Sequence, residues 1–580
     1  MAQAPATAVT EVTTEFDVPA RMRDGTVLRA NVYRPVGDGP WPVLLTRLPY
    51  GKDLPMATAT LDPVQVARRG YLVVVQDVRG CFASEGTFVP FREEIQDGHD
   101  SVEWAARLPG ADGRVGMYGG SYLGFTQWAA ALSGATSLKA MAPFQRCADP
   151  FQGMYYRGGL FELGQQATWY VTVAGLPQLM RRRAGDPAAG TAVAALVGEI
   201  DRLGTDGYGS LPLERFAPVQ GHDILQDFFH LVSHPMEADA FPHMNVAGRY
   251  GEVRVPSFNI AGWFDCFLQQ NLDDFAAMRS RGVPAKLLVG PWLHGMGMNP
   301  VGDLSFGLGA QSAMVDLRGD LGSLQLRWFD HWLKGAPNGV EAEPPVKLFV
   351  MGANRWREEQ DWPLERAEET AWFLHPQGLL SRNHPGESEP DSYVHDPNNP
   401  VPTLGGAAFL TPDHLRGPRD QRPLESRPDV LSYTTTPLES DLEVTGRVRV
   451  HLWATSSARD TDFVARLCDV FPDGRSISLT DGALRARHRE HTRGVPPSPI
   501  EPGRPYEYVV DLWSTSNLFR AGHRIRVDVA SSSFPRWDRN PGTGRQPFEE
   551  TELVRARQQV LHDPAHPSRV LLPVMPDPLV

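Results

Sequence analysis

Short apolar runs recur along the first 300 or so residues, and each ends in a polar or glycine-containing turn. They are PVLLTRLPY (42–50), YLVVVQDVRG (71–80), VPSFNIAGWFD (255–265) and AKLLVGPWLHG (285–295). Segments with helical spacing lie between several of them. Continuous apolar strands that alternate with helices are typical of a parallel sheet covered on both faces. This part of the chain is therefore predicted to be α/β.

The chain of 580 residues exceeds what one hydrophobic core usually supports. The sheet pattern is interrupted by aromatic, helix-like sequence without a convincing strand, which indicates a helical insertion. Towards the C-terminus apolar residues alternate, as in VRVHLWA (448–454) and RIRVDVA (524–530), which predicts a β-sandwich or jelly roll. The predicted units are 1–145 and 246–355 for the two parts of the α/β core, 146–245 for the insertion and 356–580 for the sandwich.

Composition argues against several classes of protein. The net charge is −13 and no long run of Lys or Arg is present, so a nucleic-acid partner is not expected. The N-terminal residues lack the basic and apolar regions of a signal peptide, and no run of 18 apolar residues occurs. We therefore expect a cytoplasmic protein without a membrane partner. The four cysteines are widely spaced with no CxxC pair, so neither a disulfide framework nor a structural metal is expected.

One serine lies at a predicted turn between a strand and a helix. In RVGMYGGSYLGFTQWAAAL (114–132), Ser121 follows an apolar strand and precedes a helical pattern. A serine at such a turn projects its hydroxyl near the positive end of the helix dipole, as a nucleophile elbow does. The usual second glycine is displaced by one position, since Leu123 precedes Gly124. Taken alone, the motif fits a nucleophile and a structural turn equally well.

A nucleophilic serine needs a base and an orienting carboxylate, in the chain order Ser, Asp or Glu, His. Asp265 and His294 follow two later apolar strands in that order. Both lie at predicted carboxyl ends of strands, where ligands bind in open α/β sheets. Asp77 also ends a strand, but it precedes the serine and Arg79 is near enough in sequence for an ion pair, so we interpret it as structural.

The tetrahedral intermediate of such a reaction needs hydrogen-bond donors for its oxyanion. The backbone N–H of Tyr122, directly after the serine, is one candidate. The loop after an earlier strand should supply the second, and there Tyr50 follows Pro49. Its phenolic hydroxyl could donate, although a packed aromatic ring is an equally good interpretation from the residues alone.

The motifs RLPYGK, QDVRGCFASEGTF, GMYGGSYLG, AGWFDCF and GPWLHG occur in this order. With them the chain resembles the CocE/NonD hydrolases, a group that contains bacterial cocaine esterase and is related to X-prolyl dipeptidyl aminopeptidases. The resemblance implies an α/β-hydrolase core with a helical cap and a C-terminal jelly roll. It implies that Ser121, Asp265 and His294 are the catalytic triad and that Tyr50 and the Tyr122 amide form the oxyanion hole.

The resemblance also implies an aromatic acyl pocket, which Trp169 and Phe267 match. A second cap tryptophan expected near Met154 and Tyr155 is absent. Relatives that act on α-amino esters carry carboxylates just after the triad acid, whereas Cys266 and apolar residues follow it here. An α-amino ester substrate is therefore disfavoured.

We predict a cofactor-independent serine esterase for small-molecule esters with an apolar or aromatic acyl group. An amidase or X-prolyl dipeptidyl peptidase would need an anionic subsite, for which Glu162 and Asp223 are candidates, although solvated surface positions are expected for both. A third alternative is a ligand-binding protein with an inert core. Phe409, in the predicted sandwich, would instead complete the active site if it points toward the pocket. Exposed sandwich edges would allow a homodimer.

Overall fold

The computed structural model describes residues 11–146, 149–222, 224–234, 236–237, 240–295 and 297–579. The first segment alternates strands and helices, as its apolar runs predict. Its helices each follow a strand of the first sheet. The elements are β1 Val12–Arg21, β2 Val27–Pro35, β3 Trp41–Leu48, α1 Pro63–Arg68, β4 Leu72–Asp77, α2 Glu94–Ala105, β5 Ala111–Gly120, α3 Tyr122–Leu132 and β6 Leu138–Phe144.

The insertion is mainly helical. A seven-residue π-helix, Trp169–Gly175, joins two of its α-helices. It also contains a short antiparallel hairpin, so the expectation of no strand here was wrong. Its strands and helices are β7 Tyr156–Arg157, β8 Leu160–Phe161, α4 Leu163–Thr168, α5 Leu176–Arg182, α6 Ala189–Leu203, α7 Ala217–Gln220 and α8 Asp227–Ser233.

The strand pattern resumes after the insertion and completes the first sheet. The elements are β9 Ser257–Phe264, α9 Leu268–Ser280, β10 Ala285–Leu293, α10 Leu321–Lys334, β11 Val346–Val350 and β12 Arg355–Glu359. The ten strands lie in the order β1-β2-β4-β3-β5-β6-β9-β10-β11-β12. The central strands pair in parallel and β1, β2 and β12 pair antiparallel at the edges. The sheet thus continues to Glu359, slightly past the predicted boundary at 355.

The regular elements of the last part are mainly strands, which are joined by loops and short 3-10 turns. They are β13 Glu368–His375, β14 Leu379–Ser381, β15 Asp391–His395, β16 Leu431–Thr434, β17 Leu442–Ser456, β18 Asp462–Val470, β19 Ser476–Arg485, β20 Tyr506–Phe519, β21 Arg524–Ala530, β22 Ala556–Leu561 and β23 Arg569–Val574, with one short helix, α11 Arg422–Glu425. The alternation seen in the sequence is the burial pattern of this unit, since Val448, Val450 and Leu452 are fully buried. The prediction of an α/β-hydrolase core with a C-terminal jelly roll is confirmed.

Buried apolar side chains form one large core around the parallel sheet and a second inside the sandwich. Residues of the sandwich also join the first core, among them Phe409, Leu410 and Trp513. The two units are therefore packed on each other where the cap meets the sheet. None of the helices formed by the described residues combines the length and the apolar character that a membrane span requires.

Candidate active site

Ser121 lies at the sharp turn between β5 and α3, at the carboxyl edge of the sheet. Its φ of 57° and ψ of −121° are unfavourable for a residue with a side chain. The turn is held from both sides, because the Ser121 N–H donates to the Phe144 carbonyl at 2.9 Å and the Ser121 carbonyl accepts from the N–H of Phe125. The geometry is that of a nucleophile elbow.

At two positions near this turn, Gly119 and Gly124, any side chain would clash with neighbouring atoms. A Cβ atom on Gly119, whose φ is +126°, would lie 2.6 Å from the Leu123 Cβ atom. A Cβ atom on Gly124 would lie 2.6 Å from the Arg146 Cβ atom. The displaced glycine of the motif thus stands where helix α3 meets the chain leaving β6, and position 123 itself accommodates a leucine.

His294 and Asp265 meet Ser121 from the ends of β10 and β9. The His294 Nε2 atom lies 3.0 Å from Ser121 Oγ, and its Nδ1 atom lies 2.7 Å from Asp265 Oδ1. Asp265 is fully buried, whereas His294 is slightly exposed to the cavity. Three residues far apart in the chain therefore form one hydrogen-bonded series, with the carboxylate fixing the imidazole through Nδ1.

The two predicted oxyanion donors lie beside the serine. Tyr122 is the first residue of α3, where backbone N–H groups have no acceptor within the helix. Tyr50 lines the same cavity, and its hydroxyl accepts a hydrogen bond from the Trp169 indole N–H at 3.2 Å. The Trp169 ring also stacks on the Tyr122 ring, with centroids 6.4 Å apart and an interplanar angle of 7°.

The Tyr122 side chain is held beneath the site by a buried polar network. Its hydroxyl donates to Glu94 Oε1 at 2.8 Å and accepts from the Phe91 N–H at 3.0 Å. The other Glu94 oxygen lies 2.6 Å from the Arg47 guanidinium. Burial raises the pKa of the Glu94 carboxyl, and the neighbouring Arg47 charge opposes that effect. The network orients the residue whose amide follows the serine.

A cavity of about 530 Å³ opens onto Ser121 and His294. Phe267 and Phe409 contact the His294 ring edge to face, with centroids 5.1 and 5.7 Å away. Trp169 lines the cavity on the side of the cap. Met154 also lines it, close to where a second cap tryptophan was expected. The cavity wall thus brings together core, cap and sandwich, with Phe409 contributed by the sandwich.

Sequence reasoning missed Gln145. It follows β6, directly beside the strand of the nucleophile, and it is among the residues that line the cavity. The amide contacts backbone atoms on both sides of His294. Its position at the carboxyl end of a central strand is a signal that could have identified it.

The expected solvated position of Glu162 was wrong. Glu162 is buried, accepts from the Trp537 indole N–H at 2.9 Å and lies 3.7 Å from the Arg536 guanidinium. A buried carboxylate needs such partners, and because Glu162 already has them it is not available to bind the ammonium group of a peptide. Asp223 lies outside the described residues.

The suggested ion pair between Asp77 and Arg79 was also wrong. Arg79 binds the carboxylates of Asp97 and Asp24. Asp77 is buried and accepts from the Lys52 N–H at 2.7 Å. Its hydrogen bonds hold the chain after β3, consistent with a structural interpretation.

Two groups of side chains offer three potential metal ligands each among the described residues. One is Asp265, Cys266 and His294, and the other is Glu425, Cys468 and Asp528. A cysteine ligates as the thiolate, but burial raises the pKa of both thiols well above the usual value. In the first group Asp265 and His294 already bind each other. Cys147 lies outside the described residues.

Comparisons with known proteins place the chain among hydrolases. Residues 24–296 match the family model of X-Pro dipeptidyl-peptidase (S15 family), and residues 338–571 match that of the X-Pro dipeptidyl-peptidase C-terminal non-catalytic domain. A cocaine esterase from Rhodococcus sp. (strain MB1 Bresler) is 38% identical over 578 residues, covering 96% of this chain and 98% of the relative.

Two solved structures are similar over nearly their full length. An α-amino acid ester hydrolase superposes with a TM-score of 0.78 at 27% identity, covering 99% of this chain and 98% of the other. An aminopeptidase from a marine sediment archaeon, Thaumarchaeota archaeon, superposes with the same TM-score at 25% identity and the same coverage. The three chains therefore share one overall fold.

Proposed function

The chain belongs to the CocE/NonD family of serine hydrolases, and from that premise we propose that it hydrolyses small carboxylic esters with an apolar or aromatic acyl group. The observation that carries the proposal is the 3.0 Å approach of His294 Nε2 to Ser121 Oγ at the base of an apolar cavity. A serine with a base in hydrogen-bond reach is the arrangement that acyl transfer requires.

In the proposed reaction Ser121 Oγ attacks the ester carbonyl carbon while His294 Nε2 takes the hydroxyl proton. Asp265 holds the imidazolium through Nδ1, and the Tyr50 hydroxyl and Tyr122 N–H donate to the oxyanion. Collapse breaks the bond to the alcohol, which leaves with the proton from His294. A water molecule, deprotonated by His294, then attacks the acyl-enzyme and releases the acid and Ser121. All these groups belong to the chain itself.

The cavity wall supports an uncharged substrate. Among the described residues that line it, none is Asp, Glu, Lys or Arg. Phe267 and Phe409 place two aromatic faces beside His294. A benzoyl or similar acyl group would bury its ring against them, because aromatic pairs contribute about 0.5–1.5 kcal/mol beyond burial.

The second candidate, an X-prolyl dipeptidyl peptidase, would need a carboxylate for the peptide ammonium. The family model and the archaeal aminopeptidase favour it, but Glu162 is already bound to Arg536 and Trp537. Parallel assays with phenyl acetate, p-nitrophenyl benzoate and Ala-Pro-p-nitroanilide distinguish the two. We expect hydrolysis of the esters and at most a trace with the anilide; the reverse preference would establish the peptidase.

The third alternative, a binding protein with an inert core, predicts an unreactive serine. Fluorophosphonate should label the wild-type protein at Ser121 and leave Ser121→Ala unlabelled. An unlabelled wild type would support the inert alternative.

The homodimer and the cytoplasmic location stay predictions from the sequence. Light scattering of the purified protein tests the homodimer.

A further inference from the structure

Gln145 spans the backbone on both sides of His294. Its Nε2 atom donates to the Leu293 carbonyl at 2.9 Å, and its Oε1 atom accepts from the Gly295 N–H at 2.5 Å. One amide thus satisfies the acceptor before His294 and the donor after it. Since these groups flank the imidazole-bearing residue, the amide fixes the backbone from which the His294 side chain extends.

Gln145 is itself held firmly. Its own N–H donates to the Ile260 carbonyl of β9 at 2.7 Å, and its φ is +47°, an uncommon conformation for a residue with a side chain. The residue is 1% exposed. A Cβ atom on Gly262 would lie 2.8 Å from the Gln145 Nε2 atom, so the glycine leaves the space that the amide occupies. Strain of this kind persists where the surrounding structure over-determines it.

The Gln145 backbone lies between the segments that carry Ser121 and Asp265, and its side chain reaches the segment that carries His294. Gln145 is the residue after Phe144, whose carbonyl accepts the Ser121 N–H, and its own N–H donates to Ile260 of β9, the strand that directly precedes Asp265. A shift of Gln145 would therefore change the position of His294 relative to both partners. Misplacement of a reacting group by about 1 Å can cost about 100-fold in rate.

We infer that Gln145 is a positioning residue, which holds His294 in line between Asp265 and Ser121 through its two hydrogen bonds to Leu293 and Gly295. The inference rests on the proposed esterase mechanism. It assigns to this amide an effect on kcat rather than on substrate binding, because the bonds are made to the backbone of the base and are present without substrate.

The test compares Gln145→Met, which keeps the length and removes both hydrogen bonds, with Gln145→Glu, which keeps the acceptor for the Gly295 N–H. Gln421→Met is the matched control: Gln421 is a buried glutamine whose Nε2 donates to the carbonyls of Leu404 and Arg419, within the sandwich. For each protein kcat and KM for p-nitrophenyl acetate, the rate of fluorophosphonate labelling and the melting temperature are measured.

We expect Gln145→Met to lower kcat and the labelling rate by about 10- to 100-fold with KM within about twofold, and Gln145→Glu to lower both as well, because its second carboxylate oxygen faces the Leu293 carbonyl oxygen and cannot donate to it. Gln421→Met should lower the melting temperature while kcat stays near wild type. An unchanged kcat in Gln145→Met would overturn the inference, as would equal losses in Gln145→Met and Gln421→Met. Should Gln145→Met not fold, wild-type kcat in Gln145→Asn, whose shorter amide cannot span both groups, would overturn it equally.

The inference and the proposed function fail in different ways. If the wild type reacts with fluorophosphonate but hydrolyses no ester, the substrate proposal fails while the labelling rates still test Gln145. If the wild type does neither, no competent base exists for Gln145 to position, and both are overturned.

Discussion

The indole N–H of Trp169 donates a hydrogen bond to the hydroxyl oxygen of Tyr50 at 3.2 Å. Trp169 begins the π-helix of the cap, whereas Tyr50 lies just after β3 of the core. A hydroxyl oxygen that accepts from the indole can also donate its own proton. In the proposed mechanism the acceptor is the oxyanion at Ser121, so the cap orients a donor that belongs to the core.

Removing the Tyr50 hydroxyl should lower kcat more than removing the Trp169 indole N–H that bonds to it. Tyr50→Phe is expected to reduce kcat for p-nitrophenyl acetate by about 100- to 1000-fold, as loss of an oxyanion donor does. Trp169→Phe keeps a ring and removes one neutral hydrogen bond of about 1 kcal/mol, which corresponds to about fivefold. Steady-state kinetics measure both, and equal kcat in Tyr50→Phe and wild type would exclude Tyr50 as a donor.

Loss of the triad carboxylate should leave the fold intact and reduce the rate strongly. Asp265→Asn retains the side-chain shape, but its amide no longer accepts from the His294 Nδ1–H as a carboxylate does, so kcat should fall by about 10⁴-fold.

Ser121→Ala should show no acyl-enzyme burst and no fluorophosphonate adduct. Circular dichroism spectra equal to wild type are the control, and a Ser121→Ala protein with full esterase activity would refute the assignment.

The aromatic residue from the sandwich should affect acyl specificity. Phe409→Ala is expected to lower kcat/KM for p-nitrophenyl benzoate by about fivefold, because an aromatic pair worth about 1 kcal/mol is lost, and to affect the acetate ester less. Phe373→Ala is the matched control, since its ring also packs on a histidine, 4.5 Å from His384, in the sandwich. An unchanged benzoyl-to-acetyl ratio in Phe409→Ala would show that the acyl ring binds elsewhere.

Stability should depend on pH through His395 of β15. This side chain is 3% exposed, and burial lowers its pKa to about 4. The unfolded chain, with a histidine pKa near 6.5, then binds more protons than the folded one between about pH 4 and 6.5. The free energy of unfolding should therefore fall as the pH decreases through this window.

The variant His395→Gln isolates this contribution. Between about pH 6.5 and 4 the wild type should lose stability relative to it as the pH decreases, by at most about 1.4 kcal/mol for each pH unit, as measured by urea denaturation of both proteins. Parallel curves for the two proteins would contradict the lowered pKa. Above pH 7 their difference should be constant, because the imidazole is neutral in both states.

Local patterns in the sequence were sufficient for the elements and for the triad candidates. Apolar runs and period-2 alternation report directly which faces are buried, so the parallel sheet and the sandwich could be predicted. Ser121, Asp265 and His294 could be selected because each follows a strand and parallel strands end at one edge of the sheet. In the structure Asp265 is within hydrogen-bond distance of His294, and His294 is within hydrogen-bond distance of Ser121.

Residue spacing carried no information on contacts between separate units. Glu162 read as a surface residue because its partners, Arg536 and Trp537, are more than 370 residues away in the chain. Gln145 carries no motif, and its importance depends on the approach of β10 to the end of β6. Phe409 could be suggested from the sequence, but only packing of the sandwich on the core places its ring 5.7 Å from His294.

The amino-acid sequence by itself therefore determined which side chains were candidates for acyl transfer, because hydrophobic periodicity and turn residues determine where strands end and helices begin. Tertiary structure determined how those groups are held and what surrounds them. The hydrogen bonds from Gln145 join segments far apart in sequence, and so do the walls of the cavity at Ser121. Their geometry follows from the packing of three units on one another.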